Sequence, residues 1–250
     1  MSWRGFAIAA LVAGTGACSL LVSVPTDEYS NGASAGVDAS IEAGGSDGRP
    51  AQGCDATFCE DFDDGPLGSK WAEQRTAGGG ELSLAPSSLS PPNALRIRLT
   101  ERSDTTKRSA HLARDFPFPT RARCSIDMAA GYGAPSDGDI EILSLKADES
   151  DYALYIKVQE NEVGLRESLA DESTTSSEIT GVGWNGSWVH IVLDAEMGKQ
   201  ATLTVGEKTT SLGLRSITGP NLTLSIGESG DSDGWAYELL IDNLACTFTP

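Results

Sequence analysis

The sequence predicts an all-β protein whose folded part is an antiparallel sandwich or barrel, and three observations support this prediction. Apolar and polar residues alternate in several short runs of the chain. Gly, Asp, Asn, Ser and Pro residues separate these runs, as expected for turns. No stretch of ten or more residues carries a helical stripe, and strands do not alternate with helices, so a parallel α/β fold is excluded.

Each of the runs has the period of two that places one face of a strand in the core. In "ALRIRLT" (94–100), Leu95, Ile97 and Leu99 share one face. Four further runs follow the same pattern: "YALYIKV" (152–158), "WVHIVLD" (188–194), "ATLTVG" (201–206) and "LTLSIG" (222–227). We therefore expect a strand at each run, within one core.

The first 18 residues, "MSWRGFAIAALVAGTGAC", predict an export signal. A single charge at Arg4 precedes an apolar run that is too short to span a bilayer, which needs roughly 20 apolar residues. The order Thr15-Gly16-Ala17-Cys18 resembles the lipobox of bacterial lipoproteins, although Thr15 stands where Leu is usual. This resemblance implies a signal peptide over residues 1–17 and a lipid on Cys18. Ordinary signal cleavage after Ala17, which would leave a free cysteine, is the alternative.

Residues 18–53 form the predicted membrane tether and precede the predicted folded domain, residues 54–250. The segment after Cys18 is rich in Gly, Ser, Ala and Asp and shows no hydrophobic period. Such a segment cannot bury enough apolar surface to offset the entropy of ordering, so we expect a flexible linker. The expected location is the cell envelope, on the periplasmic or outer-surface side of a bacterial membrane.

The chain has five cysteines, and lipidation of Cys18 would leave four that can pair. In an exported domain these four are expected to form disulfides, with three possible connectivities. We favour Cys54–Cys59 and Cys124–Cys246. A zinc site is the alternative, but the spacing lacks a Cys-x-x-Cys element.

Three segments carry a resemblance to a known fold family. The segment "GSWVHIVLDAEMGKQATLTVGEK" (186–208) resembles the central strands of laminin G-like, concanavalin A-like domains, with His190 at a recurring polar position. The segment "LTLSIGESGDSDGWAYELLIDNLACTF" (222–248) resembles their closing unit, and "FCEDFDDGPLGSKW" (58–71) resembles the opening strand of such jelly rolls. The resemblance implies a concanavalin A-like jelly-roll sandwich. It leaves the function open, because this fold hosts lectins, adhesion modules, glucanases and lyases.

The resemblance also implies two candidate sites. In similar jelly rolls an opening and a closing acid share a structural calcium ion, and the matching residues are Asp63 and Asp242; calcium needs six to eight oxygens. The stretch "SDGDIEILSL" (136–145) resembles the Glu-x-Asp-x-Glu strand of retaining β-glucanases at Asp137, Asp139 and Glu141. Asp137 is one methylene shorter than the glutamate of that motif. A polar-faced strand after a turn is the alternative.

Aromatic residues in glycine-rich turns are candidates for stacking against a sugar ring. They are Tyr132, Trp184 and Trp235. The alternative is that each ring covers an end of the sandwich. We expect Trp188 to be packed and Trp71 to anchor the core.

The formal net charge of −18 excludes a general nucleic-acid binder. Residues 96–123 are the exception, because eight Lys and Arg residues stand there against three acids. This basic window predicts either solvated strand faces or a local anion-binding stripe.

These patterns together predict a lipid-anchored module that binds a glycan or a protein partner at the cell envelope. A glycoside hydrolase or polysaccharide lyase built on Asp137, Asp139 and Glu141 is the first alternative. A purely structural envelope lipoprotein is the second.

Overall fold

The structure of the chain is a computed structural model. It describes residues 54–100, 108–132, 140–148, 152–159, 161–171, 173–184, 186–230 and 236–250. The predicted signal peptide, Cys18 and the linker lie outside the described residues, as do Asp137, Asp139 and Trp235. Residues 45–250 make one compact unit. This unit holds the whole described core and both disulfides, so we expect it to fold by itself.

The described residues form fifteen β-strands. In chain order they are β1 (Phe58–Glu60), β2 (Glu73–Ala77), β3 (Gly80–Pro86), β4 (Asn93–Leu99), β5 (Arg108–Pro117), β6 (Arg121–Tyr132), β7 (Ile140–Ala147), β8 (Ala153–Gln159), β9 (Glu162–Ser168), β10 (Thr174–Thr180), β11 (Val189–Glu196), β12 (Gln200–Val205), β13 (Lys208–Gly213), β14 (Asn221–Gly230) and β15 (Tyr237–Thr249). The five alternating runs fall in β4, β8, β11, β12 and β14, so the all-β prediction is confirmed. In the parts of the chain that the structure describes, no helix has the length and hydropathy needed to cross a bilayer.

The strands pair into two antiparallel sheets. The eight-stranded sheet has the order β13-β12-β11-β6-β15-β4-β3, and β1 pairs with β15. The seven-stranded sheet has the order β10-β9-β8-β7-β14-β5-β2. The inner faces of the two sheets contribute to one core, so the fold is a β-sandwich rather than a barrel.

Alternation along the strands decides which residues enter the core. In the eight-stranded sheet, Ile191 and Leu193 of β11 are fully buried, and in the seven-stranded sheet the same is true of Leu224 in β14. Trp71 is buried, and its ring packs edge-on against Phe58 with 5.0 Å between the ring centroids. The prediction that Trp71 anchors the core is therefore confirmed.

Two disulfides cross-link the domain, and their pairing is the one favoured from the sequence. Cys54 and Cys59 have Cα atoms 6.2 Å apart. Cys124 of β6 and Cys246 of β15 lie directly opposite each other on neighbouring strands, with Cα atoms 4.1 Å apart, and both are buried. The second bridge closes a loop of 122 residues, so it restricts the unfolded chain far more than the first.

The basic window spans strands of both sheets. Arg96 of β4 lies on the outer face of the eight-stranded sheet, where its Nε donates to Ser83 Oγ at 2.9 Å. In β5, by contrast, Arg108 is buried and the Arg114 guanidinium lies over the ring of Phe58. The window is therefore divided between the two sheets, with Arg96 on an outer face and Arg108 and Arg114 on the core side, and an anion-binding stripe stays a prediction.

Candidate functional site

A shallow groove crosses the outer face of the seven-stranded sheet, over its central strands. Its floor carries small residues on two neighbouring strands: Ser144 of β7 and Ser225 and Gly227 of β14. The cavity has a volume of about 100 Å³. It is lined by His111, Glu141, Ile142, Leu143, Ser144, Lys146, Ser225, Ile226 and Gly227. A depression of this size fits one polar group of a ligand that lies across the sheet.

Gly227 is required for the floor of this groove. Its φ is +129°, and a Cβ there would lie 2.2 Å from the carbonyl oxygen of Ala110 and 2.5 Å from the Cα of His111. The pairing of β14 with β7 is irregular between Ile226 and Ser229, directly beside this glycine. A bulge at a glycine lowers the sheet surface locally, and such bulges are enriched next to functional sites.

One wall of the groove is His111 of β5, which is half-buried and pairs across the strands with Arg75 of β2. Burial lowers the pKa of His111 below 6.5, and the charges of Lys146 and Arg75 lower it further, while Glu73 opposes them. Glu73 itself accepts a hydrogen bond from Arg75. Lys146 and Arg75 therefore act on the histidine more strongly than Glu73 does, and a carboxylate of a ligand beside it would offset them.

On its other side the groove is lined by Lys146 of β7, and Tyr155 of β8 lies next to this lysine. Tyr155 pairs with Ser144 in register, and the Lys146 Nζ lies 5.5 Å from the centroid of the tyrosine ring. Burial and the charge of Glu141 raise the pKa of Tyr155 to about 12, so the phenol is neutral at physiological pH. Lys146 has no carboxylate partner among the residues that the structure describes.

Further along the same face, a buried lysine and an exposed glutamate form an ion pair. Lys157 Nζ lies 2.6 Å from Glu178 Oε1, and the lysine crosses the face above Gly164 of β9. A Cβ at Gly164 would lie 3.1 Å from the Lys157 Cε and 2.9 Å from the Glu178 Cγ. The missing side chain is therefore what lets this pair form across β9.

The predicted carboxylate motif is only partly described. Glu141 is half-buried and lines the groove, whereas Asp137 and Asp139 lie outside the described residues. The predicted alternation of the strand is interrupted at Glu141, because the pairing of β7 with β8 shifts between Glu141 and Leu143. The retaining-glucanase arrangement therefore stays a prediction.

The three candidate aromatic residues have different settings. Trp184 is half-buried, packs against the core and donates its Nε1 hydrogen to the carbonyl of Gln159 at 2.9 Å, which is the arrangement of a ring that covers an end of the sandwich. Tyr132 is the last residue of β6, and Trp235 lies outside the described residues. A ligand-binding role for these aromatics stays a prediction.

The predicted calcium ligands lie near each other. The charge of Asp63 and, above all, burial raise the pKa of Asp242, which is fully buried. Asp242 already accepts three hydrogen bonds: from Ser87 Oγ at 2.6 Å, from Ser90 Oγ at 2.7 Å and from the Asn243 amide at 2.8 Å. The described residues contain no group of three or more His, Cys, Asp or Glu that could hold a metal ion. These two carboxylates do not fit a calcium site without further oxygen ligands.

A polar network on the eight-stranded sheet was not predicted from the sequence. His190 Nδ1 lies 2.6 Å from Asp127 Oδ1, and the other oxygen of Asp127 accepts a hydrogen bond from Asn243 Nδ2 at 3.0 Å. The residues come from β11, β6 and β15, so no local motif links them. The one available signal was that Asp127 and His190 are polar residues in otherwise alternating strands.

Comparisons with known proteins identify the fold. No protein-family model matches the sequence, and no curated protein matches it significantly. Among solved structures, the cellulose-induced protein Cip1 is similar with a TM-score of 0.56 and 12% identity, over 76% of this chain and 96% of that one.

Two further solved structures are similar in fold, each with a lower TM-score than Cip1. An alginate lyase of polysaccharide lyase family 7 has a TM-score of 0.50 and 12% identity, over 67% of this chain and 82% of that one. A botulinum neurotoxin type C, whose cell entry depends on interaction with two ganglioside molecules, has a TM-score of 0.50 and 12% identity. The match covers 70% of this chain and 43% of that structure. Together these similarities show that the domain is a jelly-roll, concanavalin-like sandwich.

Proposed function

We propose that this domain binds a glycan that carries carboxylate groups, in the groove of the seven-stranded sheet. The observation that carries the proposal is the position of His111 between Lys146 and Arg75, beside a floor of small residues. On a chain with a net charge of −18, two cations beside one histidine are a local feature, and Glu141 is the one carboxylate among the residues that line the groove.

The groove offers the groups that such a ligand needs. Lys146 can pair with a carboxylate, and the hydroxyls of Ser144 and Ser225 can donate to it from below. The ring of Tyr155 can lie against the apolar face of a neighbouring sugar ring. The similar structures support the class of ligand only, since their names refer to cellulose induction, alginate and gangliosides.

The test is calorimetric titration of residues 45–250 with an oligogalacturonate, an oligoalginate and the neutral cellohexaose. We expect the uronates to bind, more weakly at high salt, and Lys146→Ala to lower their affinity at least tenfold. Lys199→Ala is the matched control, because Lys199 is an exposed lysine on the other sheet that pairs with Glu196. Absence of uronate binding, or equal binding by the Lys146→Ala variant, would contradict the proposal.

Catalysis in the same groove is the second candidate function. It is favoured by one observation: Glu141 and His111 both line the groove. Incubation with the same polymers, followed by assays for reducing ends and for unsaturated uronates, separates the two functions. We expect no product from the wild type; product that disappears in Glu141→Gln would establish an enzyme.

We further propose that the domain is held at the cell envelope by a lipid on Cys18. Support comes from the sequence alone, namely the apolar run followed by Thr15-Gly16-Ala17-Cys18. Metabolic labelling of the full chain with a radioactive fatty acid tests this, with Cys18→Ala as the unlabelled control. If the protein is anchored and no glycan binds, an envelope protein becomes the expected partner.

A further inference from the structure

The outer face of β11 carries a row of side chains that the groove does not use. Trp188, His190, Val192 and Asp194 alternate along the strand and its preceding residue, on the outer side of the eight-stranded sheet. The intervening residues pack against or lie within the core. At about 3.3 Å per residue, the row is about 20 Å long. This length fits several units of an extended chain, not a single small molecule.

His190 is held at one ring nitrogen only. Its Nδ1 is bonded to Asp127, whose side chain is 11% exposed, while the His190 side chain is 37% exposed. Its Nε2 has no partner among the residues that the structure describes. A buried carboxylate on Nδ1 fixes the ring orientation and directs the other nitrogen to an outside group.

Asp127 is held in place by Asn243, whose backbone has a conformation that is uncommon for residues other than glycine. Asn243 has a φ of 51°, at the point where the pairing of β15 with β6 shifts between Asp242 and Ala245. This conformation costs of order 1 kcal/mol for a residue other than glycine, and asparagine tolerates it best. It allows Asn243 Nδ2 to donate to Asp127, while Asn243 Oδ1 lies 3.3 Å from Ser90 Oγ, whose hydrogen is donated to Asp242.

Trp188 is held by Ser88, a neighbour in sequence of the serines that bind Asp242. Its Nε1 donates to Ser88 Oγ at 3.1 Å, and Ser88 lies between Ser87 and Ser90, both of which donate to Asp242. Unlike Trp184, Trp188 is not one of the residues that pack against the core. The indole is therefore anchored at its edge and remains partly exposed, which is the setting of an aromatic platform.

The row continues into a larger polar depression of about 360 Å³, within the usual range of ligand pockets. It is lined by Arg121, Arg123, Val192, Asp194, Glu196, Gln200, Thr202 and Thr204. The charges balance, because Arg121 makes a two-fold contact with Asp194 through Nε at 2.8 Å and Nη2 at 2.5 Å. Hydroxyl, amide and paired charged groups suit a polyhydroxylated ligand without net charge.

We propose that this row, from Trp188 to Asp194, is a second binding surface, which takes an uncharged oligosaccharide. The aromatic ring would contact one sugar face, the His190 imidazole would bond a hydroxyl, and the polar depression would hold the following units. The surface lies on the opposite sheet from the groove, so the inference stands independently of the function proposed above.

The experiment titrates residues 45–250 with cellohexaose, xylohexaose and laminarihexaose, with NMR detection of the Trp188 indole N–H and the His190 ring. We expect both signals to shift with at least one of these neutral probes. Trp188→Ala and His190→Asn should each lower the affinity at least tenfold, and the groove variant Lys146→Ala should not. The asparagine can retain the bond to Asp127 while it lacks the outer ring nitrogen, so it separates binding from folding.

Absence of binding for all three probes would overturn the inference, whatever the uronates do. Equal affinity of the wild type and His190→Asn, with no shift of the Trp188 indole signal, would overturn it as well. If Trp188→Ala does not fold, the His190→Asn variant and the two NMR signals decide the question.

Discussion

The outer faces of the two sheets each carry a histidine beside charged residues, but the neighbours have opposite signs. On the eight-stranded sheet, His190 is bonded to the carboxylate of Asp127. On the seven-stranded sheet, His111 lies between the cations of Lys146 and Arg75. The first arrangement holds the ring in place through a hydrogen bond to a carboxylate, and in the second the two cations lower the pKa of the histidine. This difference is why we propose an uncharged ligand for the first face and a charged ligand for the second.

The two sheets also differ in covalent support, and this difference gives the largest expected effect. Only the eight-stranded sheet has a disulfide between neighbouring strands among the described residues. Cys124→Ser with Cys246→Ser should lower the free energy of unfolding by about 4–5 kcal/mol, because the unfolded chain is then no longer restricted by a closed loop of 122 residues. Cys54→Ser with Cys59→Ser should cost about 2 kcal/mol in the same model.

Urea denaturation of both double variants measures the two losses. The comparison between sheets fails if the short bridge contributes as much stability as the long one. Hydrogen exchange gives a second test of the comparison. When the long bridge is absent, the protection of backbone amide hydrogens should fall first in β6 and β15.

The next largest effect concerns the support of the β11 surface. Asp242→Ala should lower the free energy of unfolding by about 2–4 kcal/mol, because it leaves the Ser87 and Ser90 hydroxyls and the Asn243 amide without their acceptor. Asp242→Asn should cost less, since an amide keeps one acceptor and adds donors for the serines.

The two Asp242 variants also carry a pH signature. Burial raises the pKa of Asp242, so its folded form binds the proton more tightly than its unfolded form. Its contribution to stability is therefore present at acid pH and is lost as the pH rises through the folded pKa. Thermal denaturation should show that the melting temperature of Asp242→Asn rises relative to that of the wild type as the pH rises. A difference in melting temperature that stays constant across pH would count against this account.

The floor of the groove depends on a backbone that only glycine can adopt. Gly227→Ala should lower the free energy of unfolding by about 1–3 kcal/mol, because the added Cβ would meet the Ala110 carbonyl. Gly213→Ala is the matched control, since nothing lies within 4 Å of its Cβ. Denaturation measures both, and uronate affinity should fall only in the first. Equal stability of the two variants would remove the structural argument for the floor.

The smallest expected effect is that of calcium. Asp242 has three hydrogen bonds without an ion, so the melting temperature of residues 45–250 should be the same in calcium and in a chelator. Calorimetry in both buffers checks this. A clear rise in calcium would instead support the ion predicted from Asp63 and Asp242, with oxygen ligands from other parts of the chain.

The sequence predicted the strands of the core far better than it predicted the surfaces. Period-two runs such as 94–100 record burial directly, so β4 was found within one residue of its bounds. The edge strand β10, "TTSSEIT", has only one apolar residue and therefore no alternating pattern, so its pairing with β9 was not predicted. The cysteine count predicted two disulfides and left three connectivities open, and the structure has the favoured one.

The candidate surfaces were hard to predict for a physical reason. The contact between Asp127 and His190 spans 63 residues of sequence, and it arises only because β6 and β11 pair in one register. Likewise, the groove depends on a bulge at Gly227, which in the sequence is one glycine among 28. Local patterns specify which side of a strand is buried, but strand register decides which exposed side chains meet.

The most direct test is an NMR titration that follows the pKa of His111 with and without an oligogalacturonate. In the free protein, this pKa should lie below 6.5, because burial and two nearby cations oppose protonation. A bound carboxylate would offset Lys146 and Arg75, so the pKa should rise on binding, and cellohexaose should leave it unchanged. An unchanged pKa in the uronate complex would contradict the claim that the groove binds the charged ligand.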